Sequence, residues 1–175
     1  LTLSATDIQQ RTGFTIEPQP GIISQGIAPP ILRGAAIGAR AYNSASLTVA
    51  SSTITAVTLD SERWDTDSCH STSANTSRLT CNTAGKYVIS GNIAFDANTS
   101  GTFRDIGIRL NGSTIIAYNR ASPNSGTPNI IATTIWDLVA GDYVEMIAQQ
   151  DSGASRTLAA QADFTPEFSM VLIGS

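Results

Sequence analysis

The chain has 175 residues, of which 41% are hydrophobic and only 14% charged, and it carries a net charge of −4. That length suits one full-sized domain rather than two. The acidic balance argues against a nucleic-acid interface, which calls for clustered Lys and Arg, whereas Lys86 is the only lysine and the arginines are scattered; nor does any run approach the ~20 apolar residues that cross a bilayer.

Residues 1–38 differ from everything after them. Pro18, Pro20, Pro29 and Pro30, with Gly13, Gly21, Gly26, Gly34 and Gly38, rule out helix or regular sheet. Yet Ile16, Ile22, Ile23, Ile27 and Ile31 make the segment too apolar for a solvated linker. It reads as an extended arm that buries these isoleucines against a partner in an assembly, the alternative being an arm folded back on its own domain.

From residue 39 to 175 short apolar runs alternate with turn signals, the pattern of an all-β sandwich. Residues 54–59 alternate, with Ile54 and Ala56 expected inward together with Val57 or Leu59. A strand is predicted over 86–95, after the Ala84-Gly85 turn. Residues 104–110 (RDIGIRL) alternate strictly, placing Ile106, Ile108 and Leu110 on one face and Asp105, Gly107 and Arg109 on the other. Asn111-Gly112 tolerates positive φ at both positions, so 113–118 is expected to pair antiparallel with the preceding strand. Four more strands are predicted over 129–138, 142–149, 157–164 and 168–173. Eight strands without βαβ spacing leave an antiparallel sandwich.

Three stretches in this order resemble the C1q-like head of the C1q/TNF jelly-roll superfamily. Ser77 to Gly91 (SRLTCNTAGKYVISG) is similar to the strand in which an aromatic follows Gly two residues on, here Gly85 and Tyr87. Leu138 to Val144 (LVAGDYV) resembles the family's Leu-x-x-Gly-Asp-x-Val turn, and Phe168 to Ile173 (FSMVLI) its Phe-Ser-Gly-Phe-Leu-Leu ending, with Met170 where Gly is usual. Arg63 to Asp67, His70 and Ser77-Arg78-Leu79 look like the bacterial and bacteriophage branch. The resemblance implies a jelly roll that assembles as a homotrimer, with Tyr87, Ile89, Phe95, Tyr143 and Phe168 as candidates for the trimer interface, though for any one of them the ordinary core reading is favoured. No collagenous Gly-X-Y stalk is present; the Pro-rich arm stands in its place.

Little in the sequence points to catalysis. His70 is the only histidine and no Gly-x-Ser-x-Gly elbow exists. Asp65 and Asp67 are weak calcium candidates, since Asp65-Thr66-Asp67-Ser68 offers alternate oxygens but lacks the Gly and terminal Glu of a complete EF-hand loop; no cofactor is expected otherwise. Cys69 and Cys81 either pair across a hairpin or remain buried or free thiols, two cysteines being too few for a disulfide-built scaffold. Among aromatics able to stack on a sugar, Trp64 is the better candidate for exposure and Trp136 reads as half-buried. The expected function is a non-enzymatic virion structural protein, a trimeric bacteriophage capsid decoration (cement) protein held to the major capsid protein by its arm. The alternative is a receptor- or glycan-binding tip of a tail fibre or bacterial surface structure, at the virion surface or otherwise extracellular.

Overall fold

The computed structural model describes residues 36–161 and 165–174. Ile16, Ile22, Ile23, Ile27 and Ile31 of the arm lie outside the described residues. Twelve strands follow in chain order: β1 (Gly38–Tyr42), β2 (Leu47–Val49), β3 (Thr55–Ala56), β4 (Ser61–Asp65), β5 (Arg78–Thr80), β6 (Gly85–Ala94), β7 (Arg104–Leu110), β8 (Thr114–Ala121), β9 (Asn129–Leu138), β10 (Tyr143–Gln150), β11 (Arg156–Leu158) and β12 (Glu167–Gly174). Gly38, read from the sequence as the end of the arm, already belongs to β1 and faces Val171.

The strands form two facing antiparallel sheets, one five-stranded in the order β4-β1-β12-β6-β9, the other β3-β10-β7-β8 with β5 also on β10. A small β11-β2 pair closes one side. In β6 every second side chain points inward: Tyr87, Ile89 and Ile93 are fully buried while Val88, Ser90 and Asn92 face outward. β7 and β10 deliver Ile106, Ile108, Val144 and Met146 from the other side, and Phe95 and Phe168 complete the core. The β7–β8 hairpin turns at Asn111 (φ 49°) and Gly112 (φ 72°), the pairing its Asn-Gly signal predicts. The Asn111 amide secures this turn to the next by donating to Asp142 Oδ1 (2.8 Å) and accepting the Tyr143 N–H (2.9 Å).

Several expectations need correction. Ile54 is 52% exposed, whereas Val57 and Leu59 are both buried. Only Thr55–Ala56 is strand; beyond it the chain crosses between sheets, with Val57 N–H bonded to Met146 O and Asp60 N–H to Tyr42 O, so inward parity falls on the odd residues. Of the strand expected over 157–164, the described residues form strand only over Arg156–Leu158. The face of β7 opposite the core is not solvated either. Ile147 lies over Gly107, where a Cβ would come within 3.0 Å of its side chain. Asp105 is held by both Nε and Nη2 of Arg120 at 2.8 Å, and Glu145 by Arg109 at 2.8 Å.

Of the residues set aside for a trimer interface, Tyr87, Ile89, Phe95 and Phe168 are 0% exposed within the single chain. They hold the two sheets together and leave no surface for a second copy; Tyr143 alone keeps some exposure, beneath the Arg78 guanidinium 4.0 Å from its ring centre. Their burial agrees with the core reading that the sequence favoured for each of them over the interface. Phe168→Ala is therefore expected to lower the stability of the folded chain by about 3–5 kcal/mol through the cavity it leaves, by the same amount in urea melts at low and at high protein concentration. A loss seen only at low protein concentration would return Phe168 to an interface.

Candidate functional site

The outward face of the five-stranded sheet is ordered in rows by its register. The central row runs Thr133–Ser90–Ser169–Arg40–Trp64, flanked by Ile131–Asn92–Glu167 on one side and Ile135–Val88–Val171 on the other. Small residues in the middle and larger ones at the ends make a shallow open cleft of about 410 Å³, lined by Arg40, Trp64, Ser90, Asn92, Ile131 and Val171 among others. Glu167 at its base is 6% exposed. Arg40 Nη2 donates to its Oε2 at 2.6 Å and Arg63 Nε to its Oε1 at 3.1 Å, while the Arg63 guanidinium lies 4.2 Å from the Tyr42 ring centre. The Glu167 carboxylate raises the Arg40 pKa above its ordinary value, chiefly through that hydrogen bond. Arg40 is thus pinned flat at one end of the cleft.

Beside the cleft stands an apolar ridge. Ile131 (52% exposed) and Ile135 (60%) project from the outward face of β9, Trp136 (39%), opposite Tyr87 in the register, is exposed from its other face at the sheet margin, and Val139 (65%) follows. β8 runs alongside, carrying Ile115 and Tyr118 outward, and the Asn119 side chain donates to Ile131 O at 2.8 Å, joining the two sheet margins. Scattered exposed apolar residues are ordinary, but contiguous large ones rimmed by polar groups mark an interaction surface. The ridge was missed in the sequence, although β9 carries its signal: NIIATTIWDL places Ile-Ile and Ile-Trp side by side, so both parities are apolar where a one-faced strand would alternate. Trp136 is exposed on this ridge, while Trp64 is the half-buried one, at the end of the cleft.

The residues singled out for chemistry are committed to structure. Asp65 Oδ1 accepts the N–H groups of Asp67 and Cys69, and its Oδ2 accepts that of His70, so this carboxylate shapes the turn after β4. Among the described residues no three His, Cys, Asp or Glu side chains converge as a metal site would require. The His70 ring is fully buried, with Nδ1 2.9 Å from Glu62 Oε1 and Nε2 3.2 Å from Thr76 O. A backbone carbonyl sits where a triad would place its nucleophile. Cys69 and Cys81 are buried free thiols.

With this geometry in view, the comparisons with known proteins are informative for the fold. No family model and no curated protein matches the sequence. Among solved structures, Eiger TNF from S. frugiperda superposes with a TM-score of 0.61 at 15% identity, covering 80% of this chain and 94% of the other. Murine APRIL superposes with a TM-score of 0.56 at 11% identity, covering 79% and 99%. The chain has the TNF-type jelly-roll fold. The C1q/TNF resemblance read from three short motifs therefore extends to the whole architecture.

At one end of the TNF-type jelly roll, two polar pins order the loops. Arg104 is fully buried and donates to Phe103 O, Asn98 Oδ1 and Ser100 O at 2.8, 3.1 and 3.0 Å. Asp151 accepts the Thr102 hydroxyl and N–H (2.5 and 2.7 Å) and the Phe103 N–H (2.9 Å). The Thr102 hydroxyl first, then the Phe103 amide, pull its carboxyl down to about 2. A folded carboxyl that titrates below its unfolded value stabilises fully above roughly pH 4 and loses that contribution as the pH falls toward its folded value. Hydrogen exchange at Thr102 and Phe103, relative to core amides, is accordingly expected to accelerate from about pH 4 down to about pH 2. Asp151→Asn is expected to remove this window, and a parent loop indifferent to pH across it would show that the carboxylate is no pin.

Proposed function

We propose that this chain is a non-enzymatic, homotrimeric structural protein of a virion, most specifically a bacteriophage capsid decoration (cement) protein fastened to the major capsid protein by residues 1–38. The observation that carries the reading is the pairing of two unlike patches on one chain: the apolar margin of β8 and β9 and the polar end of the adjoining cleft at Arg40 and Trp64. Unlike patches that meet between copies make a head-to-tail contact, and such a contact closes a ring when its rotation divides a full turn. Three-fold closure is what the C1q/TNF resemblance implies. Trp, Tyr and Arg, the types enriched at the centre of interfaces, stand on both patches as Trp136, Tyr118, Trp64 and Arg40. The buried ring of His70 between two acceptors supports a structural rather than a catalytic role, and no cofactor enters the reading.

Exposed Tyr118 and Trp136 also suit stacking on sugar rings, which favours a receptor- or glycan-binding tip as the second reading. Immuno-electron microscopy separates the two: label spread over the capsid supports decoration, and label confined to the tail supports the tip.

Two variants test the assembly. Sedimentation of the parent at micromolar concentration is expected to give a trimer, and Ile131→Asp with Ile135→Asp a folded monomer; a monomeric parent removes the trimer. Deletion of residues 1–33 is expected to leave a folded trimer that no longer binds particles, because each arm isoleucine forgoes up to about 1.5–3 kcal/mol if left in water. A truncated chain that still decorates at full occupancy places attachment on the jelly roll instead.

A further inference from the structure

Cys69 lies in the connection that carries the chain from β4 in one sheet to β5 in the other, and Cys81 directly follows β5. Their backbones are stitched side by side. Thr80 N–H donates to Cys69 O at 2.6 Å, and the Asn82 side chain donates to Asp67 O and Ser68 O at 2.7 and 3.0 Å. Bonds thus bracket Cys69 and Cys81 on both segments. Both side chains enter the core, at 2% and 0% exposure. There the Cys81 thiol donates to Thr83 O at 3.2 Å, the carbonyl that also accepts the Tyr87 hydroxyl at 2.6 Å, and Tyr87 is within the electrostatic reach of both sulfurs. Two thiols on adjacent backbones thus share one phenol, with only carboxylates (Asp65, Asp67 and Asp142) as their charged neighbours among the described residues.

We infer that Cys69 and Cys81 form an intramolecular disulfide when the chain folds in the presence of a disulfide oxidant, clamping the crossover between the sheets, and that the dithiol described above is the reduced form of this clasp. With oxidised glutathione as oxidant, the Cys69 thiolate attacks one glutathione sulfur. The glutathione S–S bond breaks, a mixed disulfide forms and one glutathione thiolate leaves. The Cys81 thiolate then attacks Cys69 Sγ and expels the second glutathione thiolate. Two electrons pass from the protein to glutathione, and the two thiol protons end on the two glutathione thiolates.

Folding is the stage at which this happens. Burial, with Asp65, Asp67 and Cys81 adding to it, pushes the Cys69 thiol up to about 12, and burial raises Cys81 as well. The thiolate is the nucleophile in exchange, so the folded dithiol reacts slowly and the folded disulfide is equally shielded. The unfolded chain has no such protection.

The experiment compares two treatments of the full chain with oxidised glutathione: refolding from denaturant in its presence, and exposing the already folded, reduced protein for the same time. The refolded sample is expected to lose the mass of two hydrogen atoms, to resist alkylation, and to melt higher by roughly 5–10 °C, an increase that dithiothreitol abolishes. The folded sample is expected to keep both thiols. Cys81→Ser refolded in the same way is expected to carry glutathione on Cys69 without the rise in melting temperature; should that variant not fold, the two parent samples decide the matter. Two free thiols after oxidative refolding, glutathione on the parent, or bonds between chains would overturn the clasp, and rapid loss of thiols from the folded protein would overturn its assignment to the folding stage.

Discussion

The alternation of side chains along β6 is the constraint on which the rest of the molecule depends. Its neighbours are β12 on one side and β9 on the other, in a continuous register from Gly85 to Ala94 on the β9 side. Because the side-chain period of a strand is two, a slip of one residue in that register would move Tyr87, Ile89 and Ile93 to the surface and bring Val88, Ser90 and Asn92 into the core. The same alternation that closes the core lays the hydroxyl row Thr133–Ser90–Ser169 along the outer face. The cleft is therefore a by-product of core packing: small outward residues sit opposite large inward ones.

Buried carboxylates under arginines recur on the outer faces of both sheets. Glu167 is held by Arg40 and Arg63, Glu145 by Arg109 and Arg78, and Asp105 by Arg120. Each acid is 6% exposed or less, while its arginines keep more surface. Arg suits this position because its planar fork satisfies a carboxylate while its face lies on an aromatic ring, as Arg63 does on Tyr42, Arg78 on Tyr143 and Arg120 on Phe103. This arrangement gives a chain with few charges a flat, ordered exterior. Removing one arginine would strand a desolvated acid rather than free a solvated one, so these pairs are better regarded as parts of the packing than as surface salt bridges.

The ridge and the proposed clasp lie on different parts of the same frame. β9 is the margin of one sheet and β8 the margin of the other, and the Asn119 to Ile131 bond joins them. The β4–β5 connection crosses between the sheets, and the dithiol lies where it rejoins β5. In the proposed reading one serves contacts between copies, the other the cohesion of a single copy.

The amino-acid sequence by itself determined the class of fold and most of the long strands. RDIGIRL alternates strictly and became β7 without a residue's change in its bounds, the Asn-Gly pair specified its hairpin, and 129–138 matched β9. These signals are local: period, turn chemistry and the φ that a turn needs are properties of neighbouring residues. The short strands β1, β2, β4 and β5 were not legible, and β3 and β11 were read only inside longer predicted runs, because a few residues carry little period and take their conformation from the strand they lie against. Which face of an apolar strand turns inward was not legible either. Phe168 and Tyr87 were interface candidates and Ile135 and Trp136 were not, yet the first two are sealed in the core and the last two stand in solvent. Only the tertiary structure decided this, because burial depends on what lies across the sandwich, and the residues that face one another there are far apart in the chain.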